Sequence, residues 1–224
     1  MRSRLSEVAG GDITILLEDH AIASPRFVSE VRRLFTADPE IVAVKVLGRN
    51  DSSNNPWSWA NFLLAFAGCI HPATGVPTTL LSTSTAVRTA ALANVPRNLG
   101  AWETQTMPAF NREQGRLGFS NDVWIDHVEH CGMYQAITGN FHNQRAIAAV
   151  RVAHGHRRGK LTVRAIKDLG LRRPGQIARA LAGRDEYPIF AANRGKIVLI
   201  CCASTLGAFM GAWFGAGDSM RKMH

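Results

Sequence analysis

Residues Ile13-Thr14-Ile15-Leu16-Leu17 form an unbroken apolar or β-branched run, preceded by Gly10-Gly11-Asp12 and followed at once by Glu18-Asp19-His20. A run with no polar alternation predicts a strand covered on both faces by helices, which places the chain in the α/β class. The carboxyl end of such a strand is where open α/β sheets bind their ligands. Carboxylate oxygen and imidazole nitrogen suit Mn²⁺ or Mg²⁺ bridging a phosphate, so Glu18, Asp19 and His20 are candidate metal ligands. The competing reading is local: Asp19 or His20 caps a helix that starts near Ser24-Pro25.

Downstream patterning continues the alternation of strands and helices. Phe27, Val31, Leu34 and Phe35 share one face of a helix running to Phe35, and Ile41 to Leu47 is the next strand. Gly48 to Pro56 reads as a loop, and Trp57 to Ala67 as a helix apolar nearly all round, either buried or lying at a membrane interface. Thr78 to Thr85 is predicted as a strand, Ala86 to Ala93 as a helix, and a further helix starts near Thr104, just after Trp102-Glu103. Leu117 to Val128 reads as extended. The cluster Asp126-His127-Val128-Glu129-His130 invites a zinc site, but strand alternation separates His127 from Asp126 and His130.

Charge divides the chain sharply. Residues 145–196 hold 13 Lys/Arg against 3 Asp/Glu, whereas residues 1–144 hold 11 against 13. A local basic excess on a near-neutral front argues against a general nucleic-acid binder and for one surface facing phosphates or anionic lipid. Residues 145–173 interleave those cations with Ala, Val, Ile and Leu, as in helices that lie against a membrane. Residues 197–217 then carry no charge, a length that covers a hydrocarbon core of about 30 Å. Gly207, Gly211 and Gly215 recur every fourth residue there, a stripe that would admit a second membrane helix as partner. Four cysteines, Cys69, Cys131, Cys201 and Cys202, with no CxxC pair and no disulfide framework fit a reducing compartment, and the basic N-terminus lacks the apolar core of a signal peptide.

The run LLEDHAIASPRFVSEV, residues 16–31, resembles the metal strand and following helix of family 2 glycosyltransferases of the GT-A type, with His20 in the third place of a DxD-like triplet. TLLSTSTAVRTAAL, residues 79–92, has the outline of that family's strand leading to an arginine, which puts Arg88 at the donor and Ser82, Thr83 and Ser84 on the acceptor side. Trp102-Glu103 matches the acidic head of the next helix, making Glu103 the general base that takes the acceptor hydroxyl's proton. His127 matches a histidine that ends a later strand and approaches the metal and diphosphate from the side opposite the triplet. The nucleobase-gripping half of that family precedes the metal strand, and only residues 1–11 precede it here.

The resemblance therefore implies a partial GT-A-like, Rossmann-like mixed sheet over residues 1–144, a basic membrane-proximal segment over 145–196 and a transmembrane helix over 197–217. It implies transfer of a sugar from a nucleoside-diphosphate sugar to a glycan or lipid-linked acceptor, with Mn²⁺ or Mg²⁺ as cofactor and weak activity in this truncated form. The chain would sit in the cell inner membrane with its catalytic part cytoplasmic, bound to lipid and to no nucleic acid. The alternatives are a non-enzymatic membrane adaptor of transferase descent and zinc-dependent hydrolysis at Asp126, His127 and His130.

Overall fold

The computed structural model describes residues 9–51, 55–74, 84–92, 116–128 and 130–222. Strands β1 (Ile13–Leu16) and β2 (Ala21–Ala23) precede helix α1 (Phe27–Ala37), β3 (Ile41–Asn50), α2 (Pro56–Phe66), β4 (Thr85–Arg88) and α3 (Thr89–Leu92). Then come β5 (Arg116–His127), α4 (Met133–Ala153), α5 (Arg158–Ala165), a π-helical segment Ile166–Arg172, α6 (Arg173–Ala180), α7 (Tyr187–Phe214) and a 3₁₀ turn Gly217–Arg221. The chain is thus α/β, and it divides into two compact units. The described residues of Met1–Asp51 and Gly68–Val128 form one, and those of Ser52–Ala67 and Glu129–His224 the other.

The first unit is built on a mixed five-stranded sheet in the order β1-β4-β3-β5-β2. β4 runs antiparallel to both β1 and β3, β5 runs parallel to β3, and β2 pairs antiparallel with β5. The strand covered on both faces is β3, where Ala43 to Gly48 are all buried. β1, expected in that role, instead forms an edge: Ile13, Thr14 and Ile15 are half-buried and Leu17 is exposed. Of its residues only Leu16 is fully buried, meeting Ala43, Val87, Ala91 and Leu92. α1 forms as its periodicity predicts, burying Phe27, Val31 and Phe35.

Ala86 and Val87, read as helix from sequence, are strand. Each is bracketed by ladder partners, Ile15 and Val44 for Ala86 and Thr14 and Ala43 for Val87, and this pairing on two sides overrides the helix preference of alanine. Only Thr89 to Leu92 turns helical. The segments containing Ser82, Thr83 and Glu103 lie outside the described residues.

The second unit is helical. Asn55 caps α2 by accepting from the Trp57 N–H at 2.9 Å, and its amide donates to the Cys131 carbonyl at 3.0 Å. Ala60, Phe62, Leu63 and Phe66 are buried, so α2 is a core helix rather than an interfacial one. α7 is long and apolar enough to cross a membrane by length and composition. Its Gly207 and Gly211 are already engaged within the chain. A Cβ on Gly207 would meet the Phe141 carbonyl oxygen at 2.2 Å, and one on Gly211 would meet that of Arg145 at 2.0 Å. The glycine stripe therefore seats α4 against α7, with residues 141 and 145 tracking 207 and 211. Gly215, the third of the stripe, ends the helix with a positive φ of 76° and has nothing within 4 Å of its Cβ position.

Candidate metal centre

Between β1 and β2 the chain makes a tight turn closed by the Ala21 N–H donating to the Glu18 carbonyl at 3.1 Å. β2 then pairs with the end of β5 so that Ala21 stands opposite His127, and the Val128 N–H donates to the His20 carbonyl at 3.0 Å. This ladder joins residues 107 apart in sequence: His20 and His127 approach with Nε2 atoms 3.1 Å apart and rings edge to face. Glu18 completes the group, its Oε2 3.2 Å from His127 Nε2 and 3.6 Å from His20 Nε2. The site is shielded on one side only: the side chains of His127 and Glu18 are 6% and 16% exposed, whereas that of His20 is 38% exposed.

These distances suit a cation. With bonds of about 2.0–2.2 Å, adjacent ligands stand roughly 3.0 Å apart in an octahedron and roughly 3.4 Å apart in a tetrahedron. The three edges here, 3.1, 3.2 and 3.6 Å, each lie within about 0.2 Å of one or the other value. Two imidazoles and one carboxylate on a single face leave further positions open for exchangeable ligands. Glu18, His20 and His127 are the one such group among the described residues.

Asp19 stands apart from the three. Its side chain is fully exposed and its Oδ1 lies 2.9 Å from His20 Nδ1. It lies outside the three-residue group and is placed to orient His20: accepting from Nδ1–H would fix the tautomer that leaves the His20 Nε2 lone pair facing Glu18 and His127. The same hydrogen bond, assisted by the attraction of the imidazole, holds the Asp19 carboxyl below its ordinary range. The sequence placed Asp19 among the ligands because nothing in a triplet tells which member the turn will direct outward. Asp19→Asn is expected to weaken Mn²⁺ binding by roughly 10–100-fold while leaving a measurable site, as read by calorimetric titration.

The remaining candidates fall elsewhere. Arg88 donates from Nε to the Ile41 carbonyl at 2.8 Å and from a terminal nitrogen to that of Phe35 at 3.0 Å, with its guanidinium 5.0 Å from the Phe35 ring centre. It therefore ties the end of α1 to β3 and is not gathered with the metal-capable side chains. Asp126 points away from His127, as strand alternation requires, and pairs with Arg49 at 2.9 Å. That pairing removes it from the zinc cluster which its neighbourhood in sequence had suggested. Glu103, the expected base, lies outside the described residues. Compared with models of known protein families and with curated proteins, the chain matches none.

Proposed function

We propose that the chain is a membrane-associated, metal-dependent glycosyltransferase of the GT-A type, acting on a nucleoside-diphosphate sugar. The single observation that carries this reading is the meeting of Glu18 and His20, from the turn after one strand, with His127 at the end of another. That is the constellation implied by the resemblance to family 2 enzymes, and it joins two motifs read separately from the sequence.

The donor set favours Mn²⁺ over Mg²⁺, because imidazole suits borderline transition metals whereas Mg²⁺ prefers oxygen ligands and retained water. The metal, when bound, supplies positive charge against a leaving diphosphate. Glu18, His20 and His127 hold it, and Asp19 orients His20. In the transfer itself an acceptor hydroxyl oxygen attacks the anomeric carbon as the bond to the diphosphate breaks. The hydroxyl proton passes to Glu103, and the nucleoside diphosphate departs with the bonding pair. Nucleotide sugars are cytoplasmic, which puts the catalytic unit on the cytoplasmic side of the inner membrane.

The test is Mn²⁺-dependent binding of UDP and GDP to the full chain, followed by release of nucleoside diphosphate from the matching sugar donor. Affinity that requires Mn²⁺, with slow turnover lost in Glu103→Gln and binding retained, is the expected result. Metal binding without any nucleotide affinity would reject sugar transfer and leave the non-enzymatic adaptor as the better reading.

A further inference from the structure

We infer that α7 does not cross the bilayer but lies along it, seating the helical unit in one leaflet of an anionic membrane. This rests on the membrane attachment in the reading above and on none of its chemistry.

Between Val198 and Trp213 the exposed face of α7 is one apolar stripe, with the exposed Arg194 before it and Phe214 beyond it. Val198, Leu199, Leu206, Phe209 and Trp213 are all exposed, and at about 100° per residue they fall within a sector roughly 100° wide. The opposite face, including Ile197, Ile200, Ser204, Ala208 and Ala212, is buried within the unit. A spanning helix of a single-pass protein meets lipid on every side, whereas this one is covered along much of its length.

What covers it cannot follow it across a bilayer. α4 tracks α7 through the close approaches of Phe141 to Gly207 and Arg145 to Gly211, and the Arg145 side chain donates to the Gly215 carbonyl at 2.9 Å. α4 also carries Asn140, His142, Asn143, Gln144 and Arg151. α5 lies against the distal part of α7: Leu161 and Ala165 pack with Ala208 and Ala212, and the Trp213 indole N–H donates to Thr162 Oγ1 at 3.0 Å. A spanning α7 would therefore carry the exposed cations Lys160 and Arg164 of α5 into the membrane beside its far half. Lys and Arg are strongly disfavoured within the hydrocarbon region. The positive-inside arrangement fails on the same fact, because Arg194 and Lys196 mark the near end of α7 while α5 places cations beside the far end.

Lying in the plane resolves both conflicts. Val163 and Ile166 are exposed on the face of the α5 segment turned away from Leu161 and Ala165, adding apolar surface to the unit that carries the stripe of α7. Lys160, Arg164 and Lys167 flank Val163 and Ile166 in sequence and are exposed, placed to reach phosphate headgroups while the apolar side chains enter the acyl region. The unit as a whole holds 15 Lys/Arg against 5 Asp/Glu. That excess complements an anionic leaflet and opposes pairing with a second copy through the same face.

Cys202 offers a native reporter, being the one exposed cysteine of four and lying within the stripe. It lies six residues into the uncharged 197–217 run, about 7 Å of helix rise from the midpoint at residue 207, so a spanning helix would hold it in the acyl region well below the headgroups. The experiment labels Cys202 of the full chain with an environment-sensitive fluorophore. The labelled chain is then mixed with phosphatidylcholine vesicles, with or without phosphatidylglycerol, that carry nitroxides either near the headgroup or near the chain terminus. Stronger quenching by the shallow nitroxide is expected, together with binding that needs phosphatidylglycerol and falls roughly fivefold for each of Lys160→Gln and Lys167→Gln. Leu206→Asp, at an exposed position that folding tolerates, should abolish binding while leaving the circular dichroism spectrum unchanged. Stronger quenching by the deep nitroxide would overturn the inference in favour of a spanning helix. Self-association without lipid binding, or tighter binding to nucleic acid than to these vesicles, would overturn it as well.

Discussion

His127→Ala is expected to lower the Mn²⁺ affinity of the full chain by more than the roughly 10–100-fold that accompanies loss of an outer-shell partner. The reason is positional. His127 is the most buried member of the group, it comes from a different strand than Glu18 and His20, and its Nε2 lies within 3.2 Å of both other donors. Without it the site keeps two donors from one turn, which cannot by themselves enforce a facial geometry. Metal that binds only the folded state should raise stability by about 2.7 kcal/mol at a hundredfold excess over Kd, and this increment should vanish in the variant. Thermal unfolding with and without Mn²⁺ measures both. An unchanged Mn²⁺-induced rise in Tm would place the metal elsewhere.

Gly211→Val is expected to be the most damaging single change in the helical unit, costing about 3–5 kcal/mol. Its Cβ would stand 2.0 Å from the Arg145 carbonyl oxygen and 2.9 Å from the Arg145 Cα. Both are backbone atoms, so no rotamer change relieves the overlap and α4 must separate from α7. Gly195, in the same helix, has nothing within 4 Å of its Cβ position. Gly195→Ala should therefore stabilise by about 0.5–1 kcal/mol through the lower entropy cost of alanine in a helix. Urea unfolding of the two variants beside the parent chain tests the contrast. Similar small effects in both would mean that the close approach of α4 and α7 does not exist in solution.

Local pattern carried much of this fold. The 3.6-residue period of Phe27, Val31 and Phe35 and the long apolar run of α7 predicted their elements, because each is a property of neighbours in the chain. What local pattern could not supply was the partner. Ile13 to Leu17 reads the same for an edge strand as for a central one, and Ala86-Val87 reads as helix until β1 and β3 are seen on either side. The glycines of α7 announced a close helix approach, but α4, which fills it, is too polar to suggest a membrane partner.

The site shows the same division. Glu18, His20 and His127 were each named from sequence, Glu18 and His20 for their place at a strand end and His127 through a family resemblance. Their convergence depends on the pairing of Ala21 with His127, which no spacing rule encodes. The separate tasks of Asp19 and Asp126, one orienting an imidazole and the other pairing with Arg49, follow from a turn and from strand alternation.

Metal-dependent transfer at this site requires two imidazoles and one carboxylate to meet at a single cation. Pulsed electron paramagnetic resonance on the Mn²⁺-loaded full chain reads this directly, through modulation of the electron spin echo by ligand nitrogen. Nitrogen modulation from two histidines, reduced to one in His127→Gln and in His20→Gln, is the result expected. An all-oxygen Mn²⁺ signal, unchanged by either substitution, would contradict it.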